Sequence, residues 1–264
     1  MNSERTQSII RTSGLAIGYA GRKKTFQVAS NIDLAIPEGA LVSLVGANGV
    51  GKSTLLRTLA GMQPPLEGGV AIREKSLIEY HPLELATLMG VVLTEAPSSK
   101  NLSVLEFVSL GRQPHTNWMG SMGASDRECV TWAMEQTSVS ALKNKKCFEL
   151  SDGQLQRVAI ARALAQETPV ILLDEPTTHL DLYHRAAILK LLRTLVEDTK
   201  KTILFSTHEI DLAIQLSDLI ILMTPEGTNV DSPAQLIQNG HFDALFPEDT
   251  VVFDAKTGRF TIKN

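Results

Sequence analysis

Eight residues constrain this chain more than any others: Gly46-Ala47-Asn48-Gly49-Val50-Gly51-Lys52-Ser53. They follow an apolar run, Ala40–Val45, and precede a segment of helical period that starts near Lys52. A buried strand, a glycine turn and a helix start, in that order, make a cradle for phosphate. Glycines let backbone N–H groups wrap an anion with no Cβ in the way. The helix adds its unsatisfied N–H groups and the positive end of its dipole. Lys52 supplies a point charge for β- and γ-phosphates, and Ser53 offers a hard oxygen to Mg²⁺. The candidate contacts here are Gly46, Asn48, Gly49, Gly51, Lys52, Ser53 and Thr54.

A phosphate site of this kind needs a carboxylate as well. Val170–Leu173 reads as a buried strand, and Asp174-Glu175 ends it. Ligands of open α/β sheets bind at that edge of the strands. Asp174 is the candidate for the Mg²⁺ shell, and Glu175 is placed to polarise an attacking water.

The rest of the pattern is α/β. Apolar runs at Ala40–Val45, Val91–Leu93, Val170–Leu173, Thr202–Ser206 and Leu219–Met223 alternate with helices starting near Lys52, Val104, Ser125, Gly153, Leu182 and Ile210. Ser8–Ile17 and Asn31–Ile36 read as antiparallel strands around a basic loop, Gly21–Lys24. Residues 96–150 have helical patterning without a strand and read as a helical subdomain. It is inserted into a core of residues 1–95 and 151–264, all within one domain. Val251–Ile262 reads as two short strands around Lys256-Thr257-Gly258, either a second partner surface or a cap on the sheet.

Composition excludes several classes. The 264 residues carry 25 Lys and Arg against 29 Asp and Glu, which argues against generic binding to nucleic acid or anionic lipid. No apolar run reaches the ~18–20 residues that span a bilayer. Cys129 and Cys147 make no CxxC pair. The expectation is a cytoplasmic protein.

Leu150-Ser151-Asp152-Gly153-Gln154, followed by Gln156-Arg157, opens a helix with small residues on one side: Ala159, Ala161, Ala163 and Ala165. Ser151 and Gly153 stand at a helix N-terminus, a second anion site in one chain. The stretch resembles the L-S-G-G-Q signature of ATP-binding-cassette (ABC) ATPases, with Asp152 replacing the first glycine. The resemblance runs from about Gly14 to Thr224. It implies a P-loop NTPase cassette: an N-terminal antiparallel β subdomain, a mainly parallel core sheet and an inserted helical subdomain. It implies ATP as substrate and Mg²⁺ as cofactor. Ser151, Gly153 and Gln154 match the nucleotide-facing part of the signature. Tyr19 matches the aromatic that stacks on adenine. Thr178-His179-Leu180-Asp181 matches the D-loop, where the family usually has Ser-Ala before the Leu-Asp pair, and Asp181 is its candidate contact. His208 matches the switch histidine that meets the γ-phosphate. His179, Asp181 and His184 also cluster as metal ligands do, but the D-loop match accounts for Asp181.

One departure stands out. The family has a glutamine after the strand entering the helical subdomain; here the sequence is Val91-Val92-Leu93-Thr94-Glu95. Glu95 is the nearest match for that place, with Thr94 as the alternative one residue away. Its carboxylate can accept from water or bind Mg²⁺ directly.

Cassettes of the family pair head to tail, so the resemblance implies a second copy as partner. It implies integral membrane permease subunits too, a substrate-binding protein indirectly, and no nucleic acid. The chain would lie peripherally on the cytoplasmic face of the inner or plasma membrane. Asn101–Val108 followed by Gly111-Arg112-Gln113-Pro114-His115 resembles cassettes of iron-siderophore, haem and cobalamin importers. Arg112 is open to two readings, a contact with the partner or with the chain's own acids. A soluble ABC ATPase of iron–sulfur cluster assembly, or a regulatory ABC subunit, is the alternative function. If Glu95 merely stands in for glutamine, Glu95→Gln keeps ATP turnover within about tenfold; abolished turnover in a phosphate-release assay assigns the carboxylate a metal or proton role.

Overall fold

The computed structural model describes residues 7–21, 24–94, 101–117, 120–245, 251–255 and 258–262. Glu95, Arg22-Lys23 and Lys256-Thr257 lie outside the described residues. Contacts divide the chain into two units, Met1–Tyr80 with Thr202–Asn264, and His81–Lys201.

The first unit opens with β1 (Ser8–Ala20), antiparallel to β2 (Thr25–Ile32) and β3 (Ala35–Pro37). The antiparallel N-terminal sheet is as expected, but the second strand is not Asn31–Ile36. Asn31 takes a left-handed φ of 54°, and the pairing breaks at Asp33-Leu34. Buried Thr12 bridges that break: its hydroxyl donates to the Ile32 carbonyl at 2.7 Å and accepts the Leu34 N–H at 2.8 Å. Next, β4 (Leu41–Gly46) is buried along its whole length and feeds α1 (Lys52–Leu59). β5 (Glu67–Ile72) returns to β1 and pairs with β6 (Lys75–Ser76).

The second unit holds α2 (Pro82–Leu88), β7 (Met89–Val92), α3 (Val104–Ser109), α4 (Ala124–Gln136), α5 (Asp152–Ala165), β8 (Val170–Leu173) and α6 (Leu182–Thr199). β7 and β8 are parallel, with Val92 opposite Leu173. Helices α3 and α4 pack on α5. Small residues do not keep to one side of α5. Steps of two residues alternate between sides of a 3.6-residue helix, and Val158, Ile160, Ala161, Ala163, Leu164 and Ala165 are all buried.

Arg112 settles between its two readings. It is 4% exposed, and its guanidinium donates to Asp126 at 2.9 Å, Glu167 at 2.9 Å and the Ala165 carbonyl at 2.8 Å. Burial works against its charge, but the hydrogen bonds to Asp126 and Glu167 outweigh it and raise the pKa. The Gly111–His115 stretch thereby clamps the C-terminal end of α5 with the chain's own acids.

The remainder of the first unit is β9 (Thr202–Thr207), α7 (Ile210–Leu216), β10 (Leu219–Thr224), β11 (Gly227–Asp231), α8 (Pro233–Gln238), β12 (Val251–Asp254) and β13 (Arg259–Ile262). β10, β4 and β9 lie side by side and parallel; β11 closes the edge antiparallel to β10. Covered on both faces, parallel strands read as near-continuous apolar runs, as β10 does over Leu219–Met223; in β4 the run is interrupted once, at buried Ser43. The C-terminal segment caps this sheet. Phe242 and Phe253 stack at 4.9 Å and join Val45, Ile220 and Leu222 in one core, with Phe260 against them.

Arg112→Ala is expected to lower stability by about 2 kcal/mol, because it removes the guanidinium from Asp126, Glu167 and the Ala165 carbonyl. Arg112→Lys should restore only part, since an ammonium cannot reproduce the fork. Urea denaturation of the three proteins checks both.

Candidate nucleotide site

The phosphate loop is built by what surrounds it. All six residues of β4 are buried, so Gly46 arrives at the sheet edge in a fixed place. The turn then needs left-handed backbone at Gly49 (φ 79°) and Gly51 (φ 114°), and Gly51 is the N-cap of α1. A Cβ on Gly51 would sit 2.5 Å from Val28 Cγ1, so no larger residue fits there. Lys52 is 5% exposed. Its ammonium donates to the carbonyls of Gly46 at 2.8 Å and Ala47 at 3.1 Å, which holds the charge inside the turn. Asn48 and Gly49 stand exposed at the tip. A turn with its ammonium inside and a helix N-terminus behind is suited to a polyanion.

Two further candidates belong to the same unit. Tyr19, half-exposed on β1, places its hydroxyl 3.1 Å from the Thr54 hydroxyl on α1, which leaves its ring beside the first turn of that helix. His208 is exposed immediately after β9. Val45 pairs with Thr207, so His208 and the phosphate loop leave neighbouring parallel strands at the same edge. The Thr207 hydroxyl accepts the Glu209 N–H at 3.0 Å, which shapes the turn that carries the histidine.

The second unit carries the other candidates. Asp174 follows the fully buried β8 and is 6% exposed. Its N–H donates to the Val92 carbonyl at 2.8 Å, and its carbonyl accepts the Thr94 hydroxyl at 3.0 Å. Thr94 is thus engaged with the backbone of the acid pair, while Glu95 falls outside the described residues. Glu175 has φ 48°, a left-handed conformation that costs a non-glycine residue about 1–2 kcal/mol. Thr178 secures it: its hydroxyl donates to Glu175 Oε2 at 3.0 Å. Ser151 N-caps α5, and Gln154 answers from the third position; Gly153 is buried in the first turn. Asp181 N-caps α6 by accepting the His184 N–H at 2.8 Å. Sequence reasoning did not find Thr178 as the partner of Glu175. Its only trace was a hydroxyl residue three positions on.

The family model for the ABC transporter matches residues 29–178. The chain belongs to the ABC transporter family. It is an ATP-binding ATPase of that family, and its fold is that of the ABC cassette. Iron(3+)-hydroxamate import ATP-binding protein FhuC of Bacillus subtilis is 34% identical, over 95% of this chain and 92% of its own length. Ferric enterobactin transport ATP-binding protein FepC of Escherichia coli is 36% identical, over 83% and 80%. Among solved structures, the dimeric ATP-binding cassette MJ0796 bound to ADP and Pi matches with a TM-score of 0.73 and 30% identity, over 85% of this chain and 98% of that one.

Tyr19→Phe removes the hydroxyl contact with Thr54 but keeps the ring. It should lower stability by about 0.5–1 kcal/mol in urea denaturation.

Proposed function

We propose that this ABC ATPase energises an importer of metal chelates, of the iron-siderophore, haem or cobalamin class. The observation that carries the reading is the near full-length likeness to the ATP-binding proteins for ferric hydroxamate and ferric enterobactin transport. The Asn101–His115 stretch supports it. No helix among the described residues is long and apolar enough to cross a membrane, so the reading places the pore in separate permease chains. The chain would then sit peripherally at the cytoplasmic face through the permease, with a substrate-binding protein acting only indirectly.

The second unit offers a seat for such a permease. A cleft of about 600 Å³ is lined by Leu102, Leu105, Leu110, Met122 and Val130, with Arg127 and Glu106 at its polar side. An apolar groove with a charged rim suits an amphipathic helix.

In the proposed mechanism two copies pair head to tail. Lys52 and the N–H groups of Gly49–Ser53 bind the β- and γ-phosphates of ATP, with Gly46, Asn48 and Thr54 completing the loop, and the Tyr19 ring stacks on the base. Ser53 and Asp174, with Glu95, carry the hard oxygen donors that would hold Mg²⁺, which would supply charge neutralisation at the phosphates. Glu175 orients the attacking water, with Thr178 holding its carboxylate in line. His208 meets the γ-phosphate. Ser151, Gly153 and Gln154 of the second copy close over it, with Asp181 alongside. Only ATP reaches both helix starts, so binding joins the copies and hydrolysis releases them.

Glu175→Gln should still bind ATP, accumulate as a dimer on gel filtration, and lose at least about 100-fold in turnover. A Glu175→Gln chain that turns over normally sinks the mechanism. Lys52→Ala should act earlier, weakening nucleotide affinity by about tenfold or more in a fluorescent-nucleotide titration. The cargo class is tested by co-purifying the permease in detergent, rebuilding the complex in vesicles, and measuring ATP-driven uptake of ferric siderophore, haem and cobalamin. Uptake of none of the three overturns the class.

A further inference from the structure

Asp181 does more than cap a helix. Its carboxylate also takes the side chain of His184: ring Nδ1 lies 2.8 Å from Oδ1 and 2.9 Å from Oδ2. An ionised carboxylate only accepts hydrogen bonds, so Nδ1 carries the proton and the ring orientation is fixed. The hydrogen bonds from the His184 backbone and ring hold the Asp181 carboxyl below the usual carboxylate range, which keeps it ionised. The opposite edge of the ring faces the signature. A Cβ on Gly153 would lie 3.1 Å from His184 Cδ2 and 3.6 Å from Cγ, so the imidazole rests on the glycine backbone. Leu180 fills the next space, 3.7 Å from the same point. Tyr183 meets the imidazole edge-on at 5.4 Å. One side chain therefore touches both the first turn of α5 and the N-cap of α6.

We infer that His184 is a positioning residue, a strut that sets Asp181 against the start of the signature helix so that both face the second copy in one arrangement. The inference rests on the proposed reading that these two elements act on nucleotide held by the other copy. A cap alone would not need the imidazole, because the Asp181 cap uses the backbone N–H of residue 184, which any side chain leaves in place. The ring bond to Asp181 and the ring contact with Gly153 are additional, and both are lost when the ring is removed. A glycine at position 153 fits the same account: it is the space the ring occupies.

The test uses the full chain and separates the two contacts. His184→Ala removes both. His184→Asn places an amide N–H near the position of Nδ1 and keeps the bond to Asp181, but gives up most of the contact with Gly153. His184→Phe does the reverse. Nucleotide affinity of the single chain, read by fluorescent-nucleotide titration at low protein concentration, should stay within about twofold for all three. In the Glu175→Gln background, the protein concentration at which ATP joins half the chains should rise about tenfold for His184→Ala, and less for His184→Asn and His184→Phe. Turnover with Glu175 intact should fall in the same order. A His184→Ala chain that dimerises and hydrolyses within about twofold of its parent overturns the assignment of His184 alone. A Glu175→Gln parent that forms no dimer with ATP overturns the underlying reading, and the strut with it. Loss of single-chain nucleotide affinity in step with dimerisation overturns the strut as well, because it would mark a general loss of fold.

Discussion

A polyanion has to be held by peptide N–H groups, and that demand governs the first unit. The N–H groups at the start of a helix have no partners inside it, and side chains there would only keep the anion away. The loop before α1 therefore spends glycines at the two left-handed positions and gives the remaining charge to one lysine. Such a loop holds its shape only if the strand before it is fixed. β4 achieves this by being buried on every residue and paired on both sides, with β10 and β9. The C-terminal segment extends the same support: Phe242 and Phe253 pack into the cluster that contains Val45, one residue before the loop begins.

What the sequence made legible follows from burial. β4, β8, β9 and β10 lie inside, and their runs are short and mostly apolar, so each was placed within a residue or two. Elements at the surface left no such trace. β5 begins Glu67-Gly68-Gly69, and neither glycine has a side chain to show which face is inward. α2 buries none of its residues, so it shows no apolar stripe. β11 is half-buried along its length and has no alternation. The N-terminal sheet was legible as antiparallel but not in detail, because its break depends on a hydrogen bond from Thr12 across about twenty positions of sequence.

The site divides in the same way. Candidates that act through a local backbone shape, such as the glycines before α1, leave a spaced pattern in the sequence. Residues that act on another side chain leave none. Thr178 on Glu175 and His184 on Asp181 are each three positions away, a spacing found everywhere in the chain. Arg112 meets Asp126 and Glu167, of which the second is 55 positions distant. No spacing rule could have chosen between that partner and a foreign one; only the packing of the Gly111–His115 turn against α5 decides it.

On the proposed reading, the cap of α5 is part of a switch. In the single chain Ser151 and Gln154 satisfy each other: the Ser151 N–H donates to Gln154 Oε1 at 3.2 Å, and the Gln154 N–H donates to Ser151 Oγ at 3.4 Å. Both bonds lie at or beyond the long end of the range and join neutral groups, so each is weak. On the proposed reading, the approaching γ-phosphate offers the same N–H groups charged oxygens, and hydrogen bonds to an ionised acceptor are roughly twice as strong as neutral ones. The exchange is favourable only while the phosphate is in reach of both copies, and it reverts to the internal cap once that phosphate leaves. A helix start already satisfied, but poorly, stays folded when alone and still gains from the correct ligand. A strong internal cap would compete with ATP, and an empty one would leave the first turn of α5 without its N-cap. On the same reading, holding Asp181 to that helix start through His184 brings the weak cap and the Asp181 carboxylate to the second copy together, so the free energy of the exchange acts on both elements at once.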